Sequence, residues 1–130
     1  MRIGFVGCGF TADHYVEGLK RYPYLELAAA TDLDPKRASE FCAYHSVKLS
    51  PTLDDMLADP SIGMIVNLTK SSSHFEVSKA CLEAGKHLYT EKPLATTFSQ
   101  AQTLVQMAEA KGLYFSSAPS ILLEIGRAHV

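Results

Sequence analysis

The stretch that most constrains this chain is its first dozen residues, MRIGFVGCGFTA. Ile3, Phe5 and Val6 form a short apolar run of the kind that is buried on both faces of a sheet. The run passes directly into Gly7-Cys8-Gly9-Phe10-Thr11-Ala12, and an apolar stripe at helical spacing follows. The pattern is therefore G-x-G-x-x-A, set between a strand and a helix. Each small residue has a mechanical consequence. Gly7 permits a tight turn, Gly9 lets phosphates approach the backbone, and Ala12 lets the helix pack closely on the strand. Phosphates held there would meet free N–H groups at the positive end of the helix. The alternative is an ordinary strand–helix turn, and the rest of the chain has to decide between the two.

With 130 residues the chain can build one domain with a real core, but not the usual two-domain dehydrogenase. The formal net charge of −2 supplies no basic field for nucleic acid or an anionic membrane. No apolar run reaches transmembrane length, and the N-terminus lacks a charged-then-apolar signal layout, so a cytoplasmic protein is expected. Cys8, Cys42 and Cys81 are far apart and form no C-x-x-C pair, so neither a disulfide framework nor a metal site is expected. Cys8 is read as a small residue filling the turn, the alternative being a thiol activated by the helix N-terminus.

Downstream, strands and helices alternate. A helix over 11–21 carries Ala12, Tyr15, Val16 and Leu19 on one face, and LELAAAT (25–31) reads as the second strand. Asp34 is a good N-cap and Pro35 a good first helical residue, for a helix whose inner face is Ala38, Phe41 and Cys42. Val47 and Leu49 mark a short third strand, and Thr52 caps a brief helix through Leu53, Met56 and Leu57. IGMIVNLT (62–69) is a buried strand that turns polar at Asn67. A polar loop, Lys70 to His74, then leads to a helix with Val77, Ala80, Cys81 and Ala84 inward, ended by Gly85. Residues 87–90 form a fifth strand, 98–111 a helix with Leu104, Val105 and Ala108 inside, and 113–116 a sixth strand. Six such alternations imply a doubly wound α/β fold, a parallel sheet with right-handed crossovers and strand order 3-2-1-4-5-6. Ligands bind such sheets at the C-terminal ends of the strands, where Gly7 to Ala12, Asp32, Asn67 to His74 and Glu91 to Pro93 gather. Asp32 lies roughly 20 residues past the glycine turn, where a carboxylate can accept both adenosine ribose hydroxyls and repel a 2′-phosphate. That favours NAD, while Lys36 and Arg37 just beyond leave NADP open.

Several ordered segments carry a family resemblance: GCGFTA at the start, TDLDPKRA after strand two, N-L-T-x-x-x-x-H at strand four, EAGKHLYTEKPLA around strand five, and a closing S-A-P. On these the chain from residue 1 to 123 resembles the N-terminal domain of the Gfo/Idh/MocA oxidoreductases, with E-K-P the most specific feature. The resemblance implies that Gly7, Gly9, Phe10, Thr11 and Ala12 hold the pyrophosphate and Asp32 the ribose. It implies that Thr69 and the loop to His74 line the cofactor cleft, although a histidine at a helix start also serves as a cap or packing residue. Glu91 and Lys92 would lie near the nicotinamide ribose, with Lys92 as the catalytic residue that polarises the substrate hydroxyl or positions the ring. The Lys92–Pro93 bond resembles the family's cis peptide. One departure is Lys70, where relatives often carry proline: it is either a solvated lysine or a contact to a phosphate or acidic substrate. In the family, a second α/β domain on a mostly antiparallel sheet supplies substrate pocket, homo-oligomer interface and acid–base partners, and nothing after Pro119 resembles it.

The last seven residues, EIGRAHV (124–130), back-translate as GAG ATC GGA AGA GCA CAC GTC, which from its second base matches a common sequencing adapter. They are expected to be a non-native tail. The function implied is hydride transfer between NAD (or NADP) and a hydroxyl-bearing carbon of a sugar, polyol or similar molecule, with this chain binding nucleotide but not turning over. The alternative from another class is a non-catalytic nucleotide-binding sensor or regulatory module, against which Glu91-Lys92-Pro93 argues. A short-chain dehydrogenase would have a different glycine spacing from G-x-G-x-x-A, and a methyltransferase would lack E-K-P.

Overall fold

A computed structural model of the chain describes residues 1–91 and 95–117. Strands β1 (Arg2–Val6), β2 (Glu26–Thr31), β3 (Lys48–Leu49), β4 (Met64–Asn67), β5 (His87–Thr90) and β6 (Phe115–Ser117) alternate with five helices. These are α1 (Phe10–Leu19), α2 (Pro35–His45), α3 (Leu53–Leu57), α4 (Ser71–Glu83) and α5 (Phe98–Lys111). The six strands form one sheet in the order β3-β2-β1-β4-β5-β6, every pairing parallel, as the alternation predicts.

The period-two alternation of side chains divides the core into two layers. Ile3 and Phe5 of β1 and Val66 of β4 face α1 and α2, where they meet Ala12, Ala38, Phe41 and Cys42. Val6 and Ile65 face the other way, against Met56 of α3, Cys81 and Leu82 of α4, and Leu104 and Ala108 of α5. Local signals hold the ends as anticipated. Asp34 accepts from the amides of Lys36 (3.0 Å) and Arg37 (3.4 Å) with Pro35 in the first turn, and Gly112 closes α5 in the left-handed conformation.

Three expectations need correction. No loop spans 70–74: α4 begins at Ser71, so His74 sits within its first turns. Its buried stripe runs His74, Ser78, Cys81 and Leu82, and Ala84 is exposed, because the helix uses polar residues as part of its inner face. On α5, Val105 is 39% exposed and Met107 packs on the core instead. Lys92, Pro93 and Leu94, and with them the Lys92–Pro93 bond, lie outside the described residues, as do residues 118–130 with the end of S-A-P and the EIGRAHV segment.

Lys86 is buried although charged. Its Nζ donates to the carbonyls of Asp59 and Ile62, both at 2.7 Å, tying the turn before β4 to the start of β5. Lys86→Met keeps the length of the side chain but leaves both carbonyls without that donor, and should cost about 2 kcal/mol in urea denaturation. A change below about 0.5 kcal/mol would show that water replaces the ammonium freely.

Candidate nucleotide-binding site

The glycine turn is built by two different constraints. Gly7 has φ of +104°, and a Cβ there would lie 2.7 Å from the backbone carbon and oxygen of Leu68. Only glycine fits, because the turn passes directly over the chain leaving β4. Gly7 N donates to Thr31 O (2.8 Å), and Leu68 N donates to Val6 O (2.7 Å), so three strand ends converge on this point. Gly9 is under neither constraint: its φ is −85°, and nothing lies within 4 Å of where its Cβ would be. It precedes α1 as the N-cap residue without a side-chain cap, which leaves the first-turn amides to other acceptors. Ala12 is fully buried, allowing α1 to close on β1.

Asp32 bridges two turns. Its Oδ2 accepts from Cys8 N at 2.7 Å and its Oδ1 from Asp34 N at 2.8 Å. The carboxylate thus holds the glycine turn against the end of β2, and each oxygen retains a lone pair for a ribose hydroxyl. Burial, then the Asp32 carboxylate, push the Cys8 thiol up to about 12, so this cysteine is packing and no nucleophile.

On the β4 side a buried polar network shapes the loop. Asn67 Nδ2 donates to His74 O (3.0 Å) and Ser78 Oγ (2.9 Å), while its Oδ1 accepts from Thr69 N (3.1 Å) and Thr69 Oγ1 (2.6 Å). His74 is 1% exposed, and its Nδ1 lies 3.1 Å from Thr69 O, a pairing that requires the proton on Nδ1. Its Nε2, like Thr90 Oγ1, has no hydrogen-bond partner among the described residues. At the end of β5, Glu91 N donates to Asn67 O (3.0 Å), and Glu91 Oε2 accepts from Tyr15 Oη at 2.8 Å. Burial raises the Tyr15 hydroxyl far above the usual phenol range, with the neighbouring Tyr89 and Glu91 adding to it.

Gly7, Gly9, Asp32 and Thr69 line one cleft of about 480 Å³, with Leu33, Arg37 and Lys70 among their neighbours in it. The other expected residues fall around it. Phe10 is 78% exposed and lines a separate groove of about 540 Å³ between α1 and α2, edge-on to His14 at 4.6 Å. Thr11 is exposed at the start of α1, His74 lies buried behind Thr69, and Glu91 is held by Tyr15. The larger groove is rimmed by Phe10, Tyr44 and the Asp13–His45 pair (2.7 Å); the smaller cleft, next to the open face of Gly9, has the chemistry for phosphates. Tyr15 is the residue that sequence reasoning passed over as site-forming, and Asn67 was placed at the strand ends without its hydrogen-bonding role. The signal for Asn67 was a lone amide ending an apolar strand, whereas Tyr15 looked like a core position of the α1 stripe. Among the described residues no cluster of His, Cys, Asp or Glu could hold a metal ion, and no helix is long and apolar enough to cross a membrane.

A parallel sheet of this order with a glycine turn and an acid at the tip of β2 defines a Rossmann nucleotide-binding domain. The family model described as "Oxidoreductase family, NAD-binding Rossmann fold" (GFO_IDH_MocA) matches residues 1–118, and the chain belongs to that family. It is 30% identical over 114 residues to the 4-carboxy-2-hydroxymuconate-6-semialdehyde dehydrogenase of a Sphingobium species, covering 87% of this chain and 36% of that one. It is 26% identical to the scyllo-inositol 2-dehydrogenase (NADP(+)) IolW of Bacillus subtilis, covering 89% of this chain and 32% of the relative. Among solved structures, a biliverdin reductase from Synechocystis in complex with biliverdin and NADP+ superimposes with a TM-score of 0.86 at 27% identity, over 94% of this chain and 39% of that one. The chain thus spans about a third of the length of these relatives. It is an NAD(P)-binding oxidoreductase domain.

The pH response of the core follows from its thiols. Burial holds Cys8 and Cys81 at about 12 in the folded chain, against an ordinary 9.0. The unfolded thiols ionise first, so stability is constant below pH 9 on their account and falls as pH rises from about 9 toward 12. Native Cys8 should resist an aromatic disulfide reagent at pH 8, and prompt labelling there would contradict the packing assignment.

Proposed function

We propose that the chain is the dinucleotide-binding part of an enzyme that moves a hydride between a nicotinamide and the hydroxyl-bearing carbon of a sugar, polyol or similar small molecule. The observation that carries the nucleotide half of this reading is the contrast between two glycines. Gly7 is required by the fold, whereas Gly9 faces open space at the start of α1 and has no structural reason to be glycine. A phosphate approaching the backbone supplies that reason. In this reading the turn from Gly7 to Ala12, with Phe10 and Thr11 in the first turn of α1, holds the pyrophosphate. Asp32 takes the ribose, Thr69 lines the cleft with His74 supporting it from behind, and Glu91 lies toward the nicotinamide ribose.

The nicotinamide supplies the hydride chemistry when bound. The chain's own contribution is to orient it, and Lys92, directly after Glu91, is assigned the catalytic role of polarising the substrate hydroxyl or positioning the ring. The substrate class is supported by the inositol dehydrogenase among the relatives. A purely regulatory nucleotide-binding module would have no use for a lysine at that position. Because the chain spans about a third of its relatives' length, it is assigned binding without turnover. Residues 124–130 are assigned to a translated sequencing adapter, and codons other than those of the adapter in the nucleotide record would overturn that assignment.

NADH fluorescence should rise on titration with the 130-residue chain. Gly9→Ala should weaken binding by roughly tenfold, the equivalent of about 1.4 kcal/mol, with the urea midpoint little changed. No binding by the wild-type chain would remove the nucleotide reading. The same chain should show no NAD(P)-dependent oxidation of inositols or xylose, and robust turnover would contradict the assignment of binding alone.

A further inference from the structure

We infer that Tyr15 is a positioning residue for the nicotinamide half of the dinucleotide: its hydroxyl fixes one oxygen of Glu91 and so aims the other at the nicotinamide ribose. The inference rests on the nucleotide reading above and adds to it a residue outside both the glycine turn and the cleft. It starts from a polar group on an otherwise apolar face. The inner stripe of α1 is Ala12, Tyr15, Val16 and Leu19. The Tyr15 ring packs edge-on against Phe5 (6.3 Å between ring centres) and Tyr89 (6.0 Å). Phenylalanine would serve that packing equally well. The hydroxyl adds a 2.8 Å hydrogen bond donated to Glu91 Oε2, a partner 76 residues away in sequence. Burial, with Tyr89 and Glu91 adding to it, keeps that hydroxyl protonated far above the usual phenol range, so it is a constant donor.

The bond matters because of where Glu91 stands. It directly follows the last residue of β5, at the strand ends where such sheets hold their ligands. Its amide donates to Asn67 O (3.0 Å), which fixes the backbone, and the phenol fixes Oε2. Glu91 Oε1 makes no hydrogen bond among the described residues. A carboxylate oxygen with open lone pairs suits a ribose diol, whose two hydroxyls both donate. A free glutamate side chain would lose rotamer freedom on meeting that ribose. One already tethered loses less, and the difference appears as affinity. The tether comes from α1, whose first turn is the phosphate cradle. One rigid helix would therefore hold the pyrophosphate at its N-terminus and, through Tyr15, the carboxylate for the nicotinamide ribose. The adenosine half is held separately, by Asp32 on the amides of Cys8 and Asp34 and by the Asn67-braced loop at Thr69. Loss of the Tyr15 hydroxyl should be felt in the nicotinamide half alone.

Titration of the 130-residue chain with NADH and with ADP, which shares the adenosine and pyrophosphate but lacks the nicotinamide ribose, tests this. The wild-type chain should bind NADH more tightly than ADP. Tyr15→Phe should weaken NADH by about fivefold and leave ADP within about twofold. Glu91→Ala should do the same, and adding Tyr15→Phe to it should have no further effect, because the hydroxyl acts through the carboxylate. Tyr15→Phe keeps the ring and its packing, so circular dichroism should show that variant folded. NADH binding by Tyr15→Phe within twofold of wild type, or an equal loss of NADH and ADP, would overturn the inference. So would a full Tyr15→Phe effect persisting in Glu91→Ala, or wild-type NADH binding no tighter than ADP. Each of these leaves the nucleotide reading intact. Failure of both ligands to bind the wild-type chain would remove the nucleotide reading, and the inference with it.

Discussion

The turn after β1 can pass over the end of β4 only because Gly7 has no side chain. Its backbone runs so close to Leu68 that a Cβ would meet the carbonyl at 2.7 Å, and its φ of +104° is one that L side chains rarely adopt. From that approach much else follows. Gly7 N reaches Thr31 O, Leu68 N reaches Val6 O, and Cys8 N reaches the Asp32 carboxylate, so the ends of β1, β2 and β4 are drawn into one knot of short hydrogen bonds. The site exists where the sheet's three central strands stop. Its floor is backbone, and backbone amides in a rigid turn are suited to holding phosphates without rearranging.

A second layer of constraint comes from polar side chains inside the fold. Asn67 satisfies four partners at once, two on the loop through Thr69 and two on α4 through His74 and Ser78. Glu91 is fixed through its amide by Asn67 O and through its carboxylate by Tyr15. A change at the β4 loop is therefore felt at the end of β5, and the helix that begins at the glycine turn reaches the same place through Tyr15. Both halves of the cleft edge are joined by hydrogen bonds between groups far apart in sequence, a coupling that packing alone would not supply.

The fold was legible from the sequence because its signals are local and repeated. Apolar strands, caps at Asp34 and Thr52, and terminating glycines at Gly85 and Gly112 each recur at the expected spacing. The glycine turn and Asp32 were legible for a related reason: their residue types answer steric and charge requirements that few other residues meet. What could not be read lies in long-range choices. Nothing in Ser71-Ser72-Ser73-His74 as a string says that the helix begins at once, or that the His74 ring turns inward to Thr69 O; the loop that presents that carbonyl is held by Asn67. Val105 and Ala84 looked like core positions by period, but α5 turns Leu104, Met107 and Ala108 inward instead, and Ala84 lies just past the last residue of α4. Tyr15 matched the apolar stripe, and only the approach of β5 gave its hydroxyl a carboxylate.

The central claim is that the cradle at Gly7 to Ala12 is the place where a dinucleotide meets this chain. Amide chemical-shift mapping of the 130-residue chain during titration with NADH tests it most directly. The account predicts the largest shifts at Gly9, Phe10, Thr11 and Ala12, with further shifts at Asp32 and at Thr69 to Ser73. Shifts confined to Tyr44, His45 and the outer faces of α1 and α2 would place the ligand in the other groove and contradict it.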